Sequence, residues 1–387
     1  MDNMTNKTEK LYYKDAYIKD FDALVISCEE CDLGYDIVLD KTAFFPEEGG
    51  QYSDKGYIDD AFVFDVREKG GIIHHYAKEA VNVNKTAHCT LNFEERFDKM
   101  QQHTAEHMIS GFFHKLYGIE NTGFHLGAQD VTLDTSAQVT KEQLKEVERL
   151  VNLAVCQNIK IETSFPDSSE LKSLDYRSKL DLTENVRIVD IGEVDSCACC
   201  APHVAYTGEI GLVKFVDAIK RKEGSRIRML AGKRAYDYIA KITAEASAVS
   251  VMLSAPVTDI AAEVEKLLDS KCALDSKISA MGREMAEAFA ASFVGSEKNA
   301  VFYYPMLDAE AMRAFVNKCA PKVKGALVAL GGEEGDYRYV LYSENPDFSA
   351  IVKSANEALN GRGGGKAPMA SGSYKTTLLE IKKYFEF

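Results

Sequence analysis

Gln102-His103-Thr104-Ala105-Glu106-His107-Met108 is the stretch on which the reading of this chain turns. It lies in a run from Phe93 to about Tyr117 where Phe97, Met100, His103, His107 and Ile109 recur at steps of about three and four residues, so a helix is predicted. Residues four apart on a helix share one face, a single turn apart. Two imidazoles so placed are able to share one metal ion. The thermolysin-type motif, which needs Glu directly after its first histidine, is excluded because Thr104 stands there.

A second cluster follows downstream, Cys197-Ala198-Cys199-Cys200-Ala201-Pro202-His203. Adding Cys199 and His203 to the helical pair gives three nitrogens and one sulfur, a donor set suited to tetrahedral Zn2+. Cys197 or Cys200 are alternatives to Cys199. All four ligands closed on the metal would make a structural site, and one position left to water or substrate a catalytic one. Cys28-Glu29-Glu30-Cys31 has metal-like or redox-like spacing, but it has no matching second pair and strand-like residues flank it.

Outward from these clusters the chain changes style several times. Residues 1–92 hold short alternating runs such as Tyr35-Asp36-Ile37-Val38-Leu39, which suit a β-barrel-like domain. Within it Thr42-Ala43-Phe44-Phe45-Pro46-Glu47-Glu48-Gly49-Gly50-Gln51 demands an irregular loop able to bring bare backbone to a ligand. Residues 93–233 read as an α+β core. Residues 234–296 are helical, with Ile260, Val264, Leu267, Leu274, Ile278, Met281 and Met285 forming a coiled-coil seam whose one polar slot is Lys271. The expected partner is the preceding helix, in a hairpin, or a second copy of the chain. Residues 297–387 suggest an α/β module, interrupted by the glycine run Gly361-Arg362-Gly363-Gly364-Gly365-Lys366, read as a loop able to fold around a phosphate or nucleotide.

The 387 residues are enough for two or three domains, and 46% hydrophobic with 27% charged residues is the balance of a globular protein. The polar start, Met1 to Lys10, predicts neither signal peptide nor anchor, hence a cytoplasmic protein. Its nine cysteines are then expected reduced. A formal charge of −14 argues against general nucleic-acid binding, so any such surface is local. The basic run Lys214 to Arg234, with Lys220, Arg221, Arg226 and Arg228, is the candidate.

Four blocks in this order resemble the alanyl-tRNA editing proteins, freestanding relatives of the editing domain of alanyl-tRNA synthetase: Thr42 to Gln51, the His103/His107 pair, Cys199 to His203, and Thr207-Gly208-Glu209-Ile210-Gly211. Gly361 to Gly372 resembles the signature of the DHH-associated domain carried by the family's long form. The resemblance implies an α+β multidomain protein: an N-terminal β-barrel-like domain, an editing core of the threonyl/alanyl-tRNA synthetase common-domain type, a helical spacer and a terminal α/β module. It implies a zinc-dependent aminoacyl-tRNA deacylase that removes serine, and also glycine, from mischarged alanine tRNA. Through the synthetase it also associates the chain with nucleotide and ATP binding and alanyl-tRNA aminoacylation. A non-catalytic, zinc-stabilised RNA-binding module is the alternative. The family's usual Cys-Gly-Gly-Thr-His is replaced by Cys199-Cys200-Ala201-Pro202-His203, and Lys366 and Ser371 stand where Arg and Gln are common.

A pocket for alanine cannot exclude serine strongly, so a second site must remove the error. That site needs a partner for the serine hydroxyl, because an unpaired buried polar group costs about 1–3 kcal/mol. Thr42 and His125 are the expected partners, and Gln51 with the loop amides is expected to orient the ester. Lys366 and the C-terminal module join the basic run as expected tRNA contacts, with a homodimer through the C-terminal region.

Overall fold

The computed structural model describes residues 7–127, 131–178 and 186–386, so the start of the polar N-terminal stretch lies outside it. The chain divides into two compact units, Met1–Glu245 and Ala246–Phe387.

In the first unit, six antiparallel strands close a barrel, in the spatial order Asp20–Cys31, Gly34–Leu39, Ile72–Ala77, Ala61–Lys69, Gly56–Ile58, Thr86–Leu91. Alternation decides which way each side chain points. Along Thr86–Leu91, residues Ala87, Cys89 and Leu91 are buried while Thr86, His88 and Thr90 face out. Val25, Ile37, Leu39, Ile58, Val63 and Ile73 fill the interior with Phe44 of the irregular loop.

Beyond the barrel, α1 (Phe93–Tyr117) starts where the Asn92 side chain accepts from the Glu95 amide, and it stops at Gly118, whose φ of 63° is left-handed. A capping box of Thr140 and Gln143 opens α2 (Lys141–Gln157). Both helices pack on a four-stranded antiparallel sheet ordered Val213–Lys220, Ser225–Ala231, Val131–Thr135, Asn121–Leu126. Met108, Ile109, Phe113, Val147, Val151 and Ile227 meet between them. A smaller sheet, Glu162–Ser164, Ile188–Asp190 and Ser196–Ala198, leads directly into the Cys199 turn, with α3 (Ser168–Leu171) beside it in sequence.

The unit boundary falls inside α4 (Gly232–Leu253), after which a 3-10 turn, Val257–Asp259, precedes α5 (Ile260–Ser292). The second unit is built on a five-stranded sheet ordered Ala300–Tyr303, Leu327–Glu333, Asp336–Tyr342, Met369–Tyr374, Gly361–Gly364. Its first pair is parallel and the others antiparallel. Leu327 and Ala329 point to one face, against α5 and α6 (Ala309–Cys319), while Val328 and Leu330 point to the other, against α7 (Phe348–Ala358) and α8 (Leu378–Glu386). Among the described residues no single helix is long and apolar enough to cross a membrane.

Two expectations change here. Among the described residues of the second unit nothing covers the coiled-coil seam: Leu267 is 59% exposed and Leu274 58%, and α5 buries only Gly282, Ala286 and Ala290 near its C-terminal end. Small residues there let α5 lie close on α6, while the larger seam residues further up stand in solvent. The glycine run is also an edge strand rather than a loop. Gly363 faces Gly372 across the pair, and a Cβ on Gly363 would come within 2.6 Å of the Tyr339 hydroxyl. Its glycines serve close packing under the stacked Tyr339 and Tyr374 rings, 4.1 Å apart.

Candidate metal centre

Helix α1 presents His103 and His107 one turn apart, with ring centroids separated by 5.4 Å. The turn after Ser196–Ala198 brings Cys199 and His203 over this face, and the His203 ring lies 5.1 Å from His103 and 4.7 Å from His107. From the Cys199 sulfur, Nε2 of His203 is 3.4 Å away and Nε2 of His103 is 3.7 Å. One donor atom from each of the four lies within 4.8 Å of the other three. With a Zn–S bond of about 2.3 Å and Zn–N bonds of about 2.0–2.1 Å, a tetrahedral centre would have N···S edges of about 3.6 Å. Donor set and spacing therefore both fit zinc.

The far nitrogens of the three rings are also engaged. Nδ1 of His103 meets Gln51 Oε1 at 2.9 Å, and Nδ1 of His203 meets Thr104 Oγ1 at 3.0 Å. Nδ1 of His107 lies 3.3 Å from Asp195 Oδ2, an ion-pair distance without hydrogen-bond alignment. Such outer contacts fix which nitrogen each ring offers to a metal. Of the three neighbouring cysteines, Cys199 is the one whose sulfur lies among all three imidazoles. Burial pushes its thiol up, but the surrounding His103, His107 and His203 outweigh it and hold the group well below the ordinary thiol range. Burial instead pushes the Cys200 thiol up, with the Cys199 thiolate and Glu48 adding to it. Burial holds His203 neutral, down to about 3. Arg187 closes the turn, donating from Nη1 to the carbonyls of Cys199 at 3.0 Å and Ala201 at 2.9 Å.

The irregular loop reaches this centre through Gln51, which is fully buried. Gly49 and Gly50 take left-handed φ values of 63° and 83°. At Gly50 a Cβ would sit 2.4 Å from the Phe124 carbonyl oxygen, so only glycine lets the loop dock on the strand Asn121–Leu126. The Gln51 Nε2 amide is buried with no hydrogen-bond partner, beside the ring of His103. Behind the loop, Arg96 and Asp54, both essentially unexposed, form an ion pair, and Arg96 also donates to the Ala43 carbonyl at 2.6 Å.

Comparison with known proteins agrees with this arrangement. Residues 186–229 match the threonyl and alanyl tRNA synthetase second additional domain, and residues 1–97 match the class II (A) tRNA synthetases. The chain is 26% identical to the alanyl-tRNA editing protein AlaX-L of Pyrococcus horikoshii, over 96% of each chain. It is likewise 26% identical to the alanyl-tRNA editing protein Aarsd1 of Mus musculus, over 92% of each. Over nearly its full length the chain is similar to the alanyl-tRNA editing proteins. The synthetase itself is also similar: alanine–tRNA ligase of Halorubrum lacusprofundi is 28% identical over 87% of this chain, which spans 38% of that protein.

The other expected site residues fall differently. Thr42 is fully buried, its hydroxyl 2.8 Å from His75 Nε2 and accepting from the Phe44 amide at 3.1 Å. Both contacts hold that hydroxyl within the barrel. His125 is exposed on the opposite face of its strand from Phe124, whose ring lies 5.0 Å from His103. Strand alternation turns Phe124 toward the centre and His125 away.

The basic run is largely compensated. Arg226 makes a two-pronged pair with Asp134, at 2.7 and 2.6 Å, which Arg221 joins at 3.4 Å. Arg228 pairs with Asp217 and Lys214 with Glu148. Lys220 and Lys222 are exposed with no ion pair among the described residues, and Lys366 is exposed after the glycine strand. Sequence reasoning did not single out Asp195, Arg177, Arg187 or Thr104. Thr104 alone carried a local signal, since it lies between the two helical histidines.

Proposed function

We propose that the chain is a zinc-dependent hydrolase acting in trans on mischarged alanine tRNA, releasing serine and, as a second substrate, glycine. The observation that carries this reading is the convergence of three imidazole nitrogens and a thiolate beside the buried, unpartnered Gln51 amide. His103, His107, Cys199 and His203 would hold the ion. With all four in place, a water or the ester would have to add as a further ligand for zinc to supply a Lewis acid to the ester carbonyl or lower the pKa of a water.

The protein's own residues do the rest. Gln51 accepts from His103 with one end of its carboxamide and offers the other end, a bare N–H donor, to the substrate. A donor held in place before the substrate arrives stabilises developing negative charge without reorganisation. Phe124 forms an apolar wall beside His103. The Cys200-Ala201-Pro202 segment is fixed by Arg187 and by the Ala201 amide, which donates to the Cys199 sulfur at 3.4 Å.

For tRNA, the reading assigns the uncompensated Lys220 and Lys222, together with Lys366, as backbone contacts, with Arg221, Arg226 and Arg228 shaping that strand pair. A second copy is assigned to the C-terminal unit, because the apolar stripe of α5 has no cover among the described residues of that unit. A cytoplasmic location goes with a tRNA substrate.

The test is to incubate the purified chain with serine-charged and alanine-charged alanine tRNA and follow amino-acid release. Serine is expected to be freed far faster than alanine, and His103→Ala is expected to abolish the release. A zinc-loaded protein that binds tRNA but releases neither amino acid would instead identify a non-catalytic RNA-binding module.

A further inference from the structure

The three imidazoles are not supported alike. His103 and His203 are backed by neutral groups, the Gln51 carbonyl and the Thr104 hydroxyl. His107 alone is backed by a carboxylate, Asp195 Oδ2, 3.3 Å from Nδ1. Asp195 is itself 3% exposed and is gripped at both oxygens by Arg177, from Nε to Oδ1 and from Nη2 to Oδ2, each at 2.7 Å.

The backbone on both sides holds this arrangement. Arg177 is bridged to the Cys197 strand, donating its amide to the Ser196 carbonyl at 2.8 Å and accepting from the Ala198 amide at 2.9 Å. The Ile191 amide donates to the Asp195 carbonyl at 2.8 Å. One turn beyond His107, Gly111 makes room for the carboxylate: a Cβ there would come within 2.8 Å of Asp195 Cβ and 2.5 Å of the Val194 carbonyl oxygen.

Asp195, Cys197 and His107 also bring donor atoms within 4.8 Å of one another, which by type could hold a second cation. The Arg177 guanidinium already occupies both carboxylate oxygens, and its positive charge opposes a second ion there. The trio therefore supports the first site.

We propose that Asp195, clamped by Arg177, is a positioning residue for the metal centre. It sets the His107 ring so that Nε2 faces the Cys199 sulfur, and its negative charge strengthens that nitrogen as a metal ligand. The inference rests on the zinc reading above, and its test separates the two.

Zinc affinity of the full chain is measured by chelator competition, with the Co2+-substituted absorption spectrum as a report on the ligand set. Wild type is expected to bind one zinc and to give a thiolate-to-cobalt band. Asp195→Asn, which keeps shape but removes charge, is expected to weaken zinc binding about 10- to 100-fold, with circular dichroism showing the metal-free protein still folded. Asp195→Glu is expected to recover part of that loss. Unchanged affinity in Asp195→Asn overturns the proposal, as does a stoichiometry of two zincs. Absence of stoichiometric zinc from wild type overturns the underlying zinc reading instead. Should Asp195→Asn fail to fold, Arg177→Gln carries the test, and wild-type affinity in that variant overturns the proposal.

Discussion

Gln51 carries the most specific chemical expectation. Its Nε2 is buried without a partner, a state that usually costs about 1–3 kcal/mol and that a substrate would relieve. Gln51→Leu is expected to lower kcat for serine release by about 100-fold at saturating zinc, within the range for removing one preorganised donor, and to weaken zinc binding because it also removes the acceptor behind His103. A single-turnover assay on serine-charged tRNA, paired with metal analysis, checks both halves. The clustering of His103, His107, Cys199 and His203 was partly legible in the sequence because His103 and His107 are related by one helical turn, a spacing fixed locally. Asp195 and Arg177 were not legible, since each is an isolated charged residue whose role exists only once two strands and α1 have packed. Where Thr42 and His125 point was not legible for the same reason: whether a strand or loop residue faces in or out follows from registers that no local motif sets.

Elements carry two further expectations. His75 sits wholly buried in the barrel wall, where burial holds it neutral, down to about 4, and its Nδ1 meets the Ile37 carbonyl at 3.0 Å. Its folded pKa is below its unfolded value of about 6.5, so between these pH values the unfolded chain takes up a proton that the folded one refuses. Stability is therefore expected to fall as pH drops from about 6.5 to 4, by up to roughly 3 kcal/mol. Denaturant titrations across this range should show a smaller loss in His75→Gln. The glycine loop supplies the other case. Gly50→Ala forces a Cβ to 2.4 Å from the Phe124 carbonyl oxygen at a left-handed φ, so about 1–3 kcal/mol of strain is expected. Thermal melts of this variant should shift downward, and serine release should drop although no ligand is touched. The barrel strands and α1 were readable because alternation and helical period are local signals. The Gly361–Gly364 strand was misread because its glycines answer to Tyr339 in the sheet and Asn356 on α7.

At the scale of the whole molecule, a chain of charge −14 must approach tRNA through a restricted surface. Lys220→Ala with Lys222→Ala is expected to weaken tRNA binding and reduce the slope of log K against log salt by about 1 per charge removed. Arg226→Ala should act more weakly, because Asp134 already neutralises Arg226. Filter binding at several salt concentrations distinguishes them, and an unchanged slope in the double lysine variant would place the RNA surface elsewhere. The seam on α5 predicts self-association, which sedimentation should register as a concentration-dependent mass that Leu274→Lys reduces. The buried Arg96–Asp54 pair, with Lys99 donating to the Ser53 carbonyl at 2.7 Å, has a practical consequence for anyone trimming the protein. A fragment begun at the first long helix would strip Arg96 of Asp54 and the Ala16 and Ala43 carbonyls and Lys99 of the Ser53 carbonyl, uncover the side of α1 that packs there, and discard Gln51 as well. The smallest working unit must therefore keep its first ninety or so residues.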